Sequence, residues 1–241
     1  MMHDRDLHND KPWIDLGVMA LPRKSVKNAM ASLLRHWTDR SQFNVRLICH
    51  VDAFPFPDYP GRALWRETMS DTLEASREFE DVTLLGSTCN QGYGGSFYRV
   101  LSEVEHPFFY QDDDQYWQKE FVLSEIIQKE LDYYSFVGGR IAGSAPSVWS
   151  IRLVRHVVDN FPDGPKCEIV ERQIMKIPMD DFSCSEWVPR TTTRRKHNST
   201  LPVVNLGTRM NRRLKIPLPH RTGPNRSIFN RTTGVRERKR G

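Results

Sequence analysis

Three consecutive aspartates, Asp112, Asp113 and Asp114, are the residues of this sequence best suited to chemistry. They follow the apolar segment PFFYQ at 107–111 and precede the aromatic segment QYW at 115–117. Adjacent like charges repel, so a positive group is expected beside them. Carboxylate oxygens are preferred ligands of Mg²⁺ and Mn²⁺, which take further ligands from water and substrate phosphates. The segment therefore predicts a divalent-metal site for a phosphorylated substrate.

The geometry of this site depends on where the preceding strand ends. If the backbone stays extended, Asp112 and Asp114 point to one side and Asp113 to the other, because side chains alternate along a strand. The alternative is a solvated turn or a helix N-terminus, where an aspartate caps a helix that begins near Gln118. An EF-hand loop is excluded, because the position that needs glycine, counted from Asp112, holds Trp117.

The segments before the aspartates alternate between strands and helices. Apolar runs predict strands at 13–21, 44–54, 82–87 and 107–111, and apolar residues at helical spacing predict helices at 23–37, 62–80 and 90–105. This order predicts an α/β fold with a Rossmann-like, mostly parallel sheet flanked by helices. Such sheets bind ligands at the carboxyl ends of their strands, which is where the aspartates fall.

The second half of the chain divides at about residue 187. The patterns up to that point predict a helix at 118–131, a strand at 134–143, and helices at 147–161 and 165–177. Beyond it, Pro, Thr, Asn and Arg dominate and periodicity fades. We therefore expect a catalytic domain at 12–187 and a basic, irregular C-terminal extension at 188–241.

The order of these features resembles the GT-A family of nucleotide-sugar glycosyltransferases over roughly residues 12–177. The match consists of an acid at the end of the second strand, a glycine-bearing turn that enters a helix, and a DxD motif at the end of the fourth strand. The resemblance implies that the nucleotide-sugar is bound by Asp52, Asn90, Gly92, Asp112 and Asp113. It also implies that Asp114, with Asp112, binds the metal, Mn²⁺ or Mg²⁺.

Further roles follow from the resemblance alone. An inverting relative would use a carboxylate on a later helix as its base, and Glu168 and Glu171 are the candidates; two exposed acids at a helix N-terminus are the alternative. Gly139 and Arg140 would lie beside the sugar or diphosphate, although a glycine pair between strand and loop explains them equally. His197 would complete the metal shell, unless it is a solvated residue of the basic tail.

The charge of the chain is unevenly distributed. Residues 190–241 hold fifteen Lys and Arg and one acid, a balance of +14 within a net charge of +5 for the chain. Such a segment favours a polyanionic partner, because each neutralised phosphate releases counterions. The predicted nucleic-acid-binding residues are Arg190, Arg194, Arg195, Lys196, Arg209, Arg212, Arg213 and Lys215. An anionic membrane surface, or the acidic remainder of the chain, is the alternative partner.

Together these features predict an enzyme that transfers a hexose or pentose from a nucleotide-sugar to an acceptor hydroxyl. The basic tail favours a hydroxymethylated pyrimidine of DNA as acceptor, the chemistry of viral (bacteriophage) DNA-modifying glycosyltransferases, which would extrude the base from the duplex. One alternative is a transferase that acts on a cell-surface glycan or lipid. A second is a nucleic-acid-binding protein without enzymatic activity, in which the aspartates form only a turn.

The apolar segments and the cysteines bear on the cellular location of the protein. No segment has the roughly 18 to 20 apolar residues needed to span a bilayer, and the first twelve residues lack the apolar run of a signal peptide. The four cysteines, Cys49, Cys89, Cys167 and Cys184, show no metal-binding spacing and are expected to be reduced thiols. A cytoplasmic location is expected, in the host cytoplasm if the protein is viral.

Overall fold

A six-stranded sheet forms the centre of the protein. The computed structural model describes residues 11–22, 25–53, 61–87, 90–136, 146–160, 181–184 and 203–205. Four strands of the sheet are parallel: β1 Trp13–Ala20, β2 Asn44–Val51, β3 Asp81–Gly86 and β4 Phe108–Asp112. Two short strands extend the sheet in the order β3-β2-β1-β4-β7-β6: β7 Ser147–Trp149 pairs antiparallel with β4, and β6 Tyr133–Ser135 pairs antiparallel with β7.

Helices cover both faces of this sheet. They are α1 Val26–His36, α2 Gly61–Ala75, α3 Gly92–Ser102, α4 Leu123–Ile127 and α5 Ile151–Asn160. The apolar residues of α1 and α2 pack against Leu16, Val18 and Leu47 on one face. Those of α3 and α5 pack against Ile48 and Phe108 on the other. The predicted mixed α/β fold with a helix-flanked sheet is confirmed.

The chain reverses its course through the sheet between β1 and β4. From β1 it moves outward to β2 and β3, and then returns past them to place β4 on the other side of β1. Because β1 and β4 are parallel with Met19 opposite Asp112, their carboxyl ends meet at one edge. Val51 lies opposite Ala20, so β2 ends at the same edge. This reversal is the topological switch point at which open α/β sheets form their ligand crevice.

Three predicted elements are wrong in detail. Of the helix predicted at 118–131, only Leu123–Ile127 is helical, as α4, and the residues just before it form a short strand that was not predicted, β5 Gln115–Trp117. Phe121 joins Trp37 in an isolated bridge, and Asp39 accepts hydrogen bonds from the Leu123 and Ser124 amides at 2.8 and 2.7 Å. These contacts from the α1–β2 connection place the start of α4 at Leu123, although the local apolar spacing extends further.

The predicted helix at 147–161 begins later than expected. Ser147–Trp149 is strand β7, and α5 starts at Ile151. Ser150, between the strand and the helix, caps the helix, since its hydroxyl accepts from the Leu153 amide at 3.1 Å. A third difference is β8, Val203–Asn205, which lies in the segment predicted to be irregular and pairs with β5.

Other expectations concern residues that are only partly described. The predicted strand at 134–143 is seen as β6, and residues 137–145 lie outside the described ranges, as does the predicted helix at 165–177. Cys49 and Cys184 are free thiols, and burial raises the pKa of Cys49 to about 12. Within the described ranges, no helix has the length and apolar character required to cross a membrane.

Gly17 allows β1 to pack closely against its neighbours. A Cβ atom at this position would lie 2.2 Å from Cε2 of Phe108 and 2.9 Å from Cγ1 of Val100. Overpacking a filled core costs roughly 1 to 3 kcal/mol. We therefore expect Gly17→Ala to lower the free energy of unfolding by about that amount, measured by urea denaturation. Gly86→Ala, where the added Cβ would meet the Trp65 ring edge at 2.9 Å, provides a comparison on an edge strand. Equal stability of Gly17→Ala and the wild type would contradict this packing.

Because of Asp132, the free energy of unfolding should depend on pH in the acid range. It is mostly buried, and although burial opposes its charged form, hydrogen bonds from Arg152, Ser150 and Ser183 lower its pKa to about 2. A carboxylate with a lowered pKa in the folded state stabilises the protein above its unfolded pKa, near 3.9. That contribution is lost as the pH falls through 2.

The expected result is a pH-dependent difference between the wild type and Asp132→Asn. The variant should be less stable at pH 5, and the difference in unfolding free energy should shrink steadily between pH 4 and pH 2. Urea denaturation at several pH values measures it. A difference that stays constant over this range would show that the charge of Asp132 contributes nothing.

Candidate active site

The predicted site residues within the described ranges converge on one edge of the sheet. Asp52 directly follows β2, and Asp112 is the last residue of β4. Asn90 lies just before α3, and Gly92 is the first residue of that helix. The site thus lies at the carboxyl ends of the parallel strands, on both sides of the switch point.

The three aspartates form a turn rather than an extension of the strand. β4 ends at Asp112, and Asp113 and Asp114 turn the chain into β5. The Asp112 amide donates to Oε1 of Gln115 at 3.1 Å, which closes the turn. The alternation of side chains expected for an extended backbone therefore does not apply here. Asp112 is half-buried, whereas Asp113 and Asp114 are 1% and 7% exposed.

Asp113 faces α1. Its Oδ2 accepts hydrogen bonds from the Ser25 hydroxyl at 2.7 Å and from the Leu21 amide at 3.3 Å, and its own amide donates to the Met19 carbonyl at 3.2 Å. Ser25 precedes α1, and its hydroxyl makes no capping bond to that helix. The carboxylate therefore lies near the positive end of the α1 dipole and connects the end of β1 to the turn.

Asp112 has its partner on the opposite face of the sheet. The hydroxyl of Tyr110 donates a hydrogen bond to its Oδ1. The Tyr110 ring is buried and packs against Phe97 and Phe108, with centroids 4.8 and 6.1 Å away. Since its ring is fixed by the core, Tyr110 holds the Asp112 carboxylate in one orientation.

Replacing Tyr110 by phenylalanine tests this orientation. The ring packing is kept and the bond to Asp112 is lost. Partners that orient a metal-binding side chain typically contribute about 10- to 100-fold in metal affinity. If Asp112 binds the metal as the sequence predicts, the Mn²⁺ concentration for half-maximal turnover of a nucleotide-sugar should rise by about that factor, with a change of less than about 1.5 kcal/mol in unfolding free energy. Unchanged metal dependence would show that Tyr110 has only a packing role.

Asp52 is 3% exposed and connects β2 to the start of α3. Its two oxygens accept from the Gln91 amide at 2.9 and 3.1 Å, from the Asn90 side chain at 3.2 Å and from the Ser96 hydroxyl at 3.1 Å. The Asn90 side chain also donates to the Ala53 carbonyl at 2.7 Å. Asp52 and Asn90, predicted separately from the sequence, are thus in direct contact. Their bonds fix the turn that precedes the glycines of α3.

His50 is a buried polar residue that sequence reasoning missed. It lies on β2, two residues before Asp52, and its Nε2 is 3.3 Å from the Ser87 hydroxyl at the end of β3. Burial, together with the positive charge of Arg99, lowers its pKa to about 4, so the ring is neutral at physiological pH. The only signal in the sequence is a polar residue inside the apolar run NVRLICHV, which marks it as unusual but assigns no role.

The donor atoms at this edge suit a hard divalent cation. Asp112 and Asp114 supply carboxylate oxygens within one turn, and such ions take further ligands from water and phosphate. Within the described ranges no group of three or more His, Cys, Asp or Glu side chains is arranged to enclose a metal. One or two carboxylates, completed by water and phosphate oxygens, suffice for an ion such as Mg²⁺.

The remaining predicted residues lie outside the described ranges. They are Gly139, Arg140, Glu168, Glu171, His197 and the basic residues Arg190, Arg194, Arg195, Lys196, Arg209, Arg212, Arg213 and Lys215. Their roles stay predictions.

Comparison with known proteins yields structural neighbours only. No protein-family description matches the sequence, and no curated protein does. Matching solved structures include TarS from S. aureus, with 13% identity, a TM-score of 0.42, and coverage of 60% of this chain and 29% of that chain. TarS 1-349 in complex with UDP-GlcNAc matches with 14% identity and a TM-score of 0.40, over 60% of this chain and 47% of that chain.

A third neighbour is the mannosyltransferase PcManGT from Pyrobaculum calidifontis in complex with GDP-Man and Mn²⁺. It matches with 12% identity and a TM-score of 0.43, over 76% of this chain and 59% of that chain. This chain therefore spans less than two thirds of the length of each of these structures.

Proposed function

We propose that this protein is a metal-dependent glycosyltransferase that uses a nucleotide-sugar donor. The observation that carries the proposal is the position of the aspartate turn at the switch point between β1 and β4, with Asp52 and Asn90 at the same edge. This edge is where open α/β sheets bind nucleotides. Three adjacent acids there are accounted for by a bound cation and diphosphate.

The residues of the turn have distinct tasks in this proposal. Asp114 and Asp112 hold Mn²⁺ or Mg²⁺, and Tyr110 keeps Asp112 oriented. When bound, such a cation neutralises the negative charge that develops on a departing nucleoside diphosphate. Asp113 holds the β1–α1 connection against the turn, and Asp52 and Asn90 hold the glycine turn of α3 beside the nucleotide. Glu168 or Glu171 would remove the proton from the acceptor hydroxyl if the enzyme inverts the anomeric centre.

The proposed acceptor is a hydroxymethylated pyrimidine of DNA. The support is the charge of the C-terminal segment, +14 over residues 190–241, and its preference for arginine, whose planar fork matches phosphate. A glycan or lipid acceptor is the second candidate, in which the same segment would bind an anionic surface.

The test combines the metal, several donors and two acceptors. The protein is incubated with Mn²⁺, a panel that includes UDP-GlcNAc and GDP-Man, and either DNA containing hydroxymethylcytosine or a glycan or lipid acceptor, followed by mass spectrometry of the nucleosides and of the glycan or lipid. Release of nucleoside diphosphate that stops with EDTA supports the transferase, and a hexose or pentose on the modified base supports the DNA acceptor. Diphosphate release with sugar on a glycan or lipid alone overturns only the acceptor. No metal-dependent binding or turnover of any donor favours a nucleic-acid-binding protein without enzymatic activity.

A further inference from the structure

The strand β3, Asp81–Gly86, forms one end of the six-stranded sheet. Its inner edge pairs with β2, and within the described ranges no strand pairs with its outer edge. An open strand edge is a template for pairing with another chain, and proteins commonly protect it with charged residues or proline. The residues VTLLG at 82–86 contain neither. The outer edge of β3 is therefore suited to accept a further strand.

Alternate residues of β3 direct their main-chain groups to the open edge. The Ser87 amide, just after the strand, donates to the Val51 carbonyl of β2 at 3.2 Å. Main-chain groups of successive residues alternate between the two edges of a strand, so those of the even-numbered residues face away from β2. These residues are Val82, Leu84 and Gly86. The Val82 amide accordingly finds a partner outside the sheet, Oδ1 of Asp81, at 2.8 Å.

Apolar side chains of α2 border this edge. A Cβ atom added to Gly86 would lie 2.9 Å from the Trp65 ring and 3.6 Å from Cε of Met69, so both side chains lie over the end of β3. Leu73 follows Met69 by four residues and therefore lies on the same face of α2. Its side chain is 58% exposed. Trp65, Met69 and Leu73 thus form an apolar stripe, the α2 stripe, beside the open edge.

The two ends of β3 differ in charge on the α3 side of the sheet. Asp81 is exposed at the start and points to the same face as Leu85, which packs with the residues of α3. Ser87, after the end, lies 3.3 Å from Nε2 of His50, and the charge of the exposed Arg99 adds to burial in lowering the pKa of that histidine. The strand therefore begins at an acid and ends near a base.

We infer that two copies of this chain pair through β3 in antiparallel orientation, which joins their sheets into one. The register follows from the residues that face the open edge. Placing Leu84 opposite Leu84 of the other copy pairs Val82 with Gly86, so the outward main-chain groups of all three residues are used in both strands. The arrangement has a two-fold axis at Leu84, the commonest symmetry of oligomers, and does not depend on the proposed activity.

The same register matches the side chains. Val82 of one copy faces Gly86 of the other, where the missing side chain leaves the α2 stripe within its reach. Asp81 faces Ser87 of the other copy and lies near its Arg99, so the acidic start of each strand meets the basic end of the other. A parallel pairing would place like charges together. These matches favour a second copy over an unrelated strand, and they bring each copy to the edge of the other's sheet that carries the candidate site.

Replacing Leu73 by lysine tests the contact at an exposed position, where the fold is kept. Lysine suits a helix, but in the dimer its charge would lie in an apolar contact without a partner. Sedimentation velocity over a dilution series gives the mass and the dimer Kd of the full-length protein. We expect the wild type to have twice the mass of one chain, and Leu73→Lys to raise the Kd at least about 10-fold. Gln128→Lys, which adds the same charge at an exposed residue after α4, should match the wild type.

Three results would overturn the inference. A wild type that stays monomeric throughout the series leaves the edge to a strand of another kind. A dimer with the same Kd for Leu73→Lys and Gln128→Lys shows that the copies associate through another surface. A mass that grows beyond two chains with concentration shows open-ended association instead of a closed pair. These measurements use no nucleotide-sugar, so their failure leaves the proposed function untouched.

A cysteine at the two-fold axis tests the register. Leu84 faces its own counterpart in a hydrogen-bonded pair, whose Cα atoms are about 5.5 Å apart and within disulfide range. Leu84→Cys should therefore form cross-linked dimers on oxidation, above the level of the wild type with its own four cysteines. Thr83→Cys is the control, because Thr83 faces Leu85 of the other copy rather than its own counterpart. Equal cross-linking of the two variants would contradict the register.

Discussion

Replacing Asp114 by asparagine should reduce metal-dependent turnover of a nucleotide-sugar by about 10²- to 10³-fold while the protein stays folded. In the proposed mechanism the reason is electrostatic: the carboxylate that would hold the cation loses its charge, and the cation that would neutralise the departing diphosphate is bound more weakly. Asp112→Asn should have a comparable effect, because both carboxylates lie in the turn that ends β4. Asp81→Asn, an exposed acid at the start of β3, is the matched control and should leave turnover unchanged.

Stability distinguishes this role from that of a structural turn. If the aspartates serve a bound cation, removing one charge relieves repulsion, and the metal-free variant should be as stable as the wild type or more so. Mn²⁺ with a nucleoside diphosphate should raise the unfolding free energy of the wild type by about 2.7 kcal/mol at roughly 100 times its Kd. Asp114→Asn should lose this increment. A variant that is less stable without metal, yet still stabilised by it, would contradict the assignment.

The sequence predicts the part of the fold that positions the site. Continuous apolar runs such as WIDLGVMA and NVRLICHV are long enough to be read as buried strands, and the helices between them repeat apolar residues at helical spacing. Once the first four strands alternate with helices, the strands are expected to run parallel, and all their carboxyl ends then lie at one edge. The convergence of Asp52 and Asp112 follows from that topology rather than from any property of the two residues.

The elements that were mispredicted are short and depend on contacts distant in the chain. β5 and β8 have three residues each, which is too short for the alternating pattern of a strand to be recognised. The start of α4 depends on Asp39, which lies more than eighty residues earlier in the sequence. In both cases tertiary hydrogen bonds decide between local conformations of similar energy, which local periodicity cannot resolve.

The orientation of the aspartates could not be predicted for a related reason. In an extended strand, the side chains of successive residues point to opposite faces, so the sequence position alone would decide which way each aspartate points. Here the chain turns at Asp113 instead, and the side chain of Gln115 accepts a hydrogen bond from the Asp112 amide. The side that Asp113 takes is then set by Ser25 and Leu21, residues of the β1–α1 connection. A serine before a helix predicts a cap, and only the structure shows that this hydroxyl is used for the aspartate instead.

Replacing Asp52 by alanine should lower the free energy of unfolding by roughly 2 to 5 kcal/mol, a larger loss than we expect for Gly17→Ala. The carboxylate is buried and accepts from the Gln91 amide, the Asn90 side chain and the Ser96 hydroxyl. Alanine would leave these donors without their acceptor inside the protein, and a buried donor without a partner costs about 1 to 3 kcal/mol. Thermal and urea denaturation measure the loss.

Comparison with two further variants separates the structural role of Asp52 from contact with the nucleotide. Asp52→Asn keeps one acceptor oxygen and should lose less stability than alanine, and Asn90→Ala removes a single donor to the carboxylate and should lose less still.

If the carboxylate acts by holding the turn before α3, the KM for the donor should rise in the order of these stability losses. If it contacts the nucleotide directly, as the GT-A resemblance implies, Asp52→Asn should raise KM far out of proportion to its effect on stability. The existing hydrogen bonds to Asn90, Gln91 and Ser96 favour the first result, because they already occupy both oxygens of the carboxylate.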